Sequence, residues 1–157
     1  DPHEALPVVR ASRAELASDF APFRAHADAL MGMTAHLIVE AVDPEYPVTF
    51  SGPCIDLIRD QIGFAGLLMT DDISMGALRG SAGERAEASI DAGCDIVLHC
   101  DGDMADMQGV AAGAGRLDGG SLARAAAVDA EPRAVDEIDI EAVEARYLSL
   151  KKDPCHA

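Results

Sequence analysis

Three short apolar runs, each ending at a polar mouth and each followed by a helical pattern, restrict this chain to a parallel α/β fold. They begin near residues 33, 67 and 94, a repeat of about 30 residues. The clearest is Leu67-Leu68-Met69, closed off by Gly66 on one side and by Asp71-Asp72 on the other. An unbroken apolar run of that length suits a strand covered on both faces, as in a parallel sheet. The spacing predicts strands over 33–39 (MTAHLIV), 66–70 and 94–100 (CDIVLHC). Three strands cannot close a barrel, which takes eight and about 250 residues. The chain is therefore either a small open α/β domain or part of something larger.

The intervening segments carry helix signals. Ser12 and Glu15 have capping-box spacing, and Leu16, Phe20 and Phe23 follow near helical period. Pro22 predicts a break there, with a second helix starting near Asp19. The first seven residues, between two prolines, read as an extended loop. Ser51 precedes a helix with Pro53 in its first turn and Gly63 at its end. Ser81 and Glu84 repeat the capping box before a helix that stops at Gly93. Ala-rich helical segments follow, broken by Gly115, by Gly119-Gly120 and by Pro132, and a last helix covers about 139–151. No linker divides residues 1–157, so a single domain is expected.

Composition narrows the partners. A formal net charge of −16 argues against nucleic acid, whose phosphates need a basic face. No run of eighteen apolar residues and no signal peptide is visible, so no membrane partner is expected, and from cysteine usage a reducing, cytoplasmic setting is the simpler reading. The four cysteines lack CxxC or zinc-type spacing, and no metal or other cofactor is expected. With aromatics at 4%, the core must be aliphatic.

Two adjacent carboxylates at the carboxyl end of a parallel strand repel each other, and that end is where α/β folds build sites. Asp71 and Asp72 are either such a site or a solvated acidic turn. A metal reading, with Asp71, Asp72 and Asp101 holding Mg²⁺, is the alternative; against it, the phosphate-binding Gly-rich loop is missing and lysine occurs only at Lys151 and Lys152. A third reading is a non-catalytic fragment that acts by association. His36 ends the first strand and either lines the same mouth or is a hydrogen-bonded structural residue. His99 reads as structural.

The runs GLLMTDDISMGAL, MGMTAH and ERAEASIDAGCDIVLHC, with the opening DPHEALP, resemble bacterial β-N-acetylglucosaminidases of glycoside hydrolase family three. These trim N-acetylglucosamine from recycled cell-wall muropeptides. The similarity spans residues 1 to about 110. It implies the C-terminal part of a TIM-type (β/α)8 barrel, strands six to eight, with the N-terminal half absent. It implies a retaining exo-glycosidase acting on an N-acetylglucosamine-containing saccharide. Asp71 matches the carboxylate nucleophile, with Thr70 where serine is usual. His3 matches the acid/base histidine and Asp1 its aspartate partner; Pro2 replaces the middle serine of that motif. Met75 matches a pocket-lining position, although a methionine there also serves packing. Asp72 either braces the backbone or is exposed. The family's sugar-gripping residues lie upstream of Asp1, so this chain is expected to be inert alone. Inner-face residues such as Leu37, Leu68 and Val97 would lack the opposite wall, and self-association or pairing with the missing barrel half follows.

Overall fold

The computed structural model describes residues 5–131 and 138–151. Its centre is a parallel sheet of β2 (Met31–Met33), β4 (Leu67–Asp72) and β5 (Ile96–Leu98), in that spatial order. Met31 pairs with Leu67, Met33 with Met69, and Met69 with Ile96. A smaller parallel pair joins β1 (Val8–Val9) to β3 (Ile38–Val39). Successive strands of the central sheet are linked by helices, the crossover that parallel pairing requires.

Helix α1 (Arg13–Arg24) starts at the expected cap: the Glu15 amide donates to the Ser12 hydroxyl, and the Ser12 amide donates back to the Glu15 carboxylate at 2.8 Å. The predicted break at Pro22 does not occur, and α1 runs through it. Pro22 falls in the last turn, where the missing N–H and the ring disturb a helix that ends two residues later. Helix α2 (Gly52–Asp56) opens on Ser51 and continues as a wide π-type turn over Leu57–Ile62, ended by Gly63 at φ 85°. That left-handed conformation is open to glycine and strained for other residues. Helix α3 (Ala82–Ala92) has the second capping box, Ser81 with Glu84, and stops at Gly93.

Helix α4 (Met104–Ala114) lies close against α3, because a methyl group on Gly113 would overlap the Gly83 carbonyl. Helices α5 (Gly119–Ala130) and α6 (Ile140–Lys151) complete the described chain. Gly119 and Gly120 open α5 rather than interrupting it, since first-turn amides have no intrahelical partner in any case. No helix among the described residues is long and apolar enough to cross a membrane.

Two clusters form the core. Ile55, Phe64, Leu68 and Cys94 pack beneath α2 and α3. Ile73, Leu78 and Ala86 pack with Phe50, Val97 and Val110 between the end of β4, α3 and α4. Leu68 and Val97 are thus turned toward the helices, a correction to their expected place on an inner face. Strand alternation puts Met31, Met33 and Met69 on the other face, and there Met31 and Met33 are 42% and 54% exposed. An apolar cavity of about 510 Å³, walled by Phe20, Phe23, Met33, Ile58 and Phe64, opens beside β2.

The strand expected over 33–39 is two strands in two sheets. The Thr34 amide still donates to the Met69 carbonyl at 2.9 Å, but Thr34 and His36 then turn their side chains into the interior. The backbone leaves the sheet, and Ile38–Val39 pairs with Val8–Val9. Of the loop expected over the first seven residues, residues 5–7 lead directly into that unforeseen strand β1, and residues 1–4 lie outside the described residues. The last strand is shorter than 94–100, because side chains take the ladder's place at both ends. The Asp95 carboxylate accepts the Leu68 amide at 2.8 Å, and the Thr70 hydroxyl accepts the Leu98 amide at 2.9 Å.

Candidate active site

The carboxyl end of β4 carries Asp71 and Asp72 as its last two residues, inside the strand rather than in the following loop. Pairing with β5 slips between Met69 and Asp72; such a slip re-aims side chains at the rim of a sheet. Thr70, fully buried, spans the slip through its hydroxyl.

The two aspartates do different work. Asp72 is saturated with donors: Oδ1 accepts the Ser74 amide at 2.9 Å and the Cys100 amide at 3.0 Å, and Oδ2 accepts the Ser74 hydroxyl at 2.6 Å. Partial burial pushes its carboxyl up, but the Ser74 hydroxyl, the two amides and nearby His99 outweigh that and hold it below the ordinary carboxylate range. It braces the turn after β4 and ties it to the end of β5. Asp71 is half-buried and accepts one hydrogen bond among the described residues, from the Asp72 amide to Oδ1 at 2.8 Å. Its second oxygen, Oδ2, takes none there. Of the pair, Asp71 has the oxygen available to a ligand.

The turn itself is gripped from α3. Arg85 donates through Nη1 to the Ile73 carbonyl at 2.7 Å and through Nη2 to the Leu78 carbonyl at 2.6 Å. Nothing in the local sequence marks this arginine, because its acceptors are backbone atoms. Met75 lies in the gripped turn, buried, with its amide donating to the Asp72 carbonyl at 3.2 Å.

His36 is 1% exposed and uses both ring nitrogens: Nδ1 lies 2.8 Å from Thr49 Oγ1 and Nε2 lies 2.9 Å from the Asp72 carbonyl. It stands behind the aspartate pair, within the interior, and not on an open pocket wall. His99 also lies beside Asp72, with both ring nitrogens shielded from solvent and without a hydrogen-bond partner among the described residues. Asp1 and His3 lie outside the described residues.

The metal reading finds no support in the donor set. Among the described residues no three His, Cys, Asp or Glu side chains converge as ligands. Asp103 caps α4 through the Ala105 and Asp106 amides, and Asp101 accepts the Asp103 amide at 3.2 Å.

A second acidic centre, unforeseen from the sequence, sits at the opposite end of the sheet. Asp95 precedes β5, and its side chain is 1% exposed. It accepts Arg59 Nη2 at 2.7 Å, Ser121 Oγ at 2.6 Å, Arg124 Nε at 2.9 Å and the Leu68 amide. Burial pushes its carboxyl up; Arg124, the Leu68 amide, Ser121 and Arg59 together pull it down further, to about 2. Every lone-pair direction is taken, so this carboxylate has no capacity left for a ligand.

A parallel sheet with crossover helices and a half-open carboxylate at a strand's carboxyl end defines an α/β domain of barrel type, with its site at the strand ends. The chain belongs to the glycosyl hydrolase family 3 N-terminal domain family, whose profile matches residues 1–136, beyond the point near 110 where the motifs fade. The three central strands are a segment of that family's TIM-type barrel. The chain is 43% identical over 106 residues to the beta-hexosaminidase of Alkalilimnicola ehrlichii, covering 64% of this chain and 30% of that one. It superimposes on a glycoside hydrolase family 3 beta-N-acetylglucosaminidase from Paenibacillus at a TM-score of 0.69 and 29% identity, covering 89% of this chain and 31% of the other. It superimposes on NagZ from Neisseria gonorrhoeae at 0.55 and 39% identity, covering 64% and 29%. The chain spans about 30% of the length of the curated relatives it matches.

Proposed function

We propose that this chain supplies the nucleophile end of a retaining exo-glycosidase that removes β-linked N-acetylglucosamine from muropeptide-type saccharides in the cytoplasm. The observation that carries the reading is Asp71. It stands at the end of β4, aimed by one backbone amide, with no donor on Oδ2 among the described residues. Asp71 attacks the anomeric carbon as the glycosidic bond breaks, and His3 protonates the departing oxygen. Water then attacks the same carbon, His3 takes its proton, and the Asp71 ester bond breaks. Two inversions give retention. Asp1 is assigned, from the family resemblance alone, the role of orienting the His3 imidazole. The reading takes residues 1–157 as one domain, a partial barrel whose sugar-gripping residues come from the remaining strands.

The test completes the barrel. The N-terminal part of the Alkalilimnicola relative is joined to this chain, and release of a chromogenic β-N-acetylglucosaminide is followed. Turnover is expected, and Asp71→Ala is expected to abolish it while the melting temperature is retained. A near-normal kcat in Asp71→Ala would remove Asp71 from the chemistry.

A further inference from the structure

We propose that His36 is a positioning residue for Asp71, acting through the backbone of Asp72; this rests on Asp71 being the reacting carboxylate. One end of the network has a fixed direction, and in the neutral ring the rest follows from it. A carbonyl can only accept, so Nε2, 2.9 Å from the Asp72 carbonyl, carries the ring hydrogen. In the neutral ring Nδ1 is then an acceptor, and the Thr49 hydroxyl at 2.8 Å donates to it in preference to the more distant Ala35 carbonyl at 3.4 Å. Thr49 Oγ1 in turn accepts the Thr34 hydroxyl at 2.9 Å. All three side chains are buried, Thr49 fully. The base of the relay is fixed at both ends: Thr34 by its amide on the Met69 carbonyl, and the segment holding Thr49 by Asp43, which accepts the Glu45 amide and the Ser51 hydroxyl.

The Asp72 residue is therefore held on both sides. Its carbonyl takes the imidazole N–H and the Met75 amide, while its own amide donates to Asp71 Oδ1. Losing the imidazole N–H leaves the Asp72 carbonyl with the 3.2 Å Met75 amide alone, and the amide that aims Asp71 is then held less firmly. A misplacement of about 1 Å in a reacting group costs about 100-fold in rate. A direct role on the sugar does not fit His36, since both nitrogens are engaged and the ring is interior.

A histidine that merely fills space has no need of an N–H at one atom, and this separates the two roles. In the completed barrel, His36→Leu keeps the bulk and loses the donor; kcat is expected to fall about 10- to 100-fold with KM within about twofold. His36→Gln places an amide N–H near the Nε2 position and is expected to recover most of that loss. In the 157-residue chain itself, ¹⁵N NMR of the imidazole should show the proton on Nε2, and Thr49→Val should disturb the Nδ1 signal. An unchanged kcat in His36→Leu, equal losses in Leu and Gln variants, or a proton found on Nδ1 would each overturn the inference. If Asp71→Ala also retains its kcat, the reading of the site fails with it; if Asp71→Ala is inert while His36→Leu is normal, this inference alone fails.

Discussion

Asp71 and Asp95 stand at opposite ends of one parallel sheet and meet opposite surroundings. Asp95, at the amino end, is enclosed by two guanidinium groups, a hydroxyl and a backbone amide. Asp71, at the carboxyl end, accepts one amide and, among the described residues, has no donor on its second oxygen. A buried carboxylate is tolerated only when its charge and lone pairs are matched, and at Asp95 that matching ties together β4, β5, α5 and the turn after α2. A carboxylate that is to attack must keep an oxygen free, and at Asp71 the polar support is placed on its neighbours, Asp72 and His36. In barrel folds the amino face serves stability and the carboxyl face chemistry, and on the proposed function the two aspartates divide along that line.

The largest expected break of this comparison is Asp95→Ala. It leaves Arg59 and Arg124 facing each other without their anion, and a loss of about 3–5 kcal/mol is expected by urea unfolding. Asp71→Ala should stay within about 0.5 kcal/mol of the parent in the same measurement. Equal losses at the two positions would dissolve the distinction. Acid should act more gently on the same contrast. The Asp95 carboxyl is held at about 2 against an ordinary 3.8. Its folded value is depressed, so its contribution is complete above about pH 4 and fades as pH falls to about 2. The loss across that window is about 2 kcal/mol, and it should vanish from unfolding curves of Asp95→Ala.

The part of the molecule legible in the sequence is the part governed by neighbours in the chain. Both capping boxes, the glycine stops at 63 and 93, and the β4 run are local signals, and each stands where the sequence predicts, except that β4 extends to take in both aspartates. Contacts between distant residues left no such mark. Asp95 draws Arg59 from 36 positions away and Arg124 from 29, and neither arginine differs locally from a solvated one. The Thr34–His36 region reads as one strand because its residues are strand formers; what bends it out of the sheet is Thr49 and the Asp72 carbonyl, both remote. For the same reason the alternatives for His36 could not be separated without knowing that both ring nitrogens are occupied.

The account turns on which acid reacts, and covalent labelling asks that question directly. The completed barrel is treated with a fluorinated N-acetylglucosaminide carrying a good leaving group, which slows breakdown of the ester, and is then digested and sequenced by mass spectrometry. The account predicts one added sugar, on Asp71. A sugar on Asp72 or any other residue, or turnover with no ester trapped at all, would contradict it.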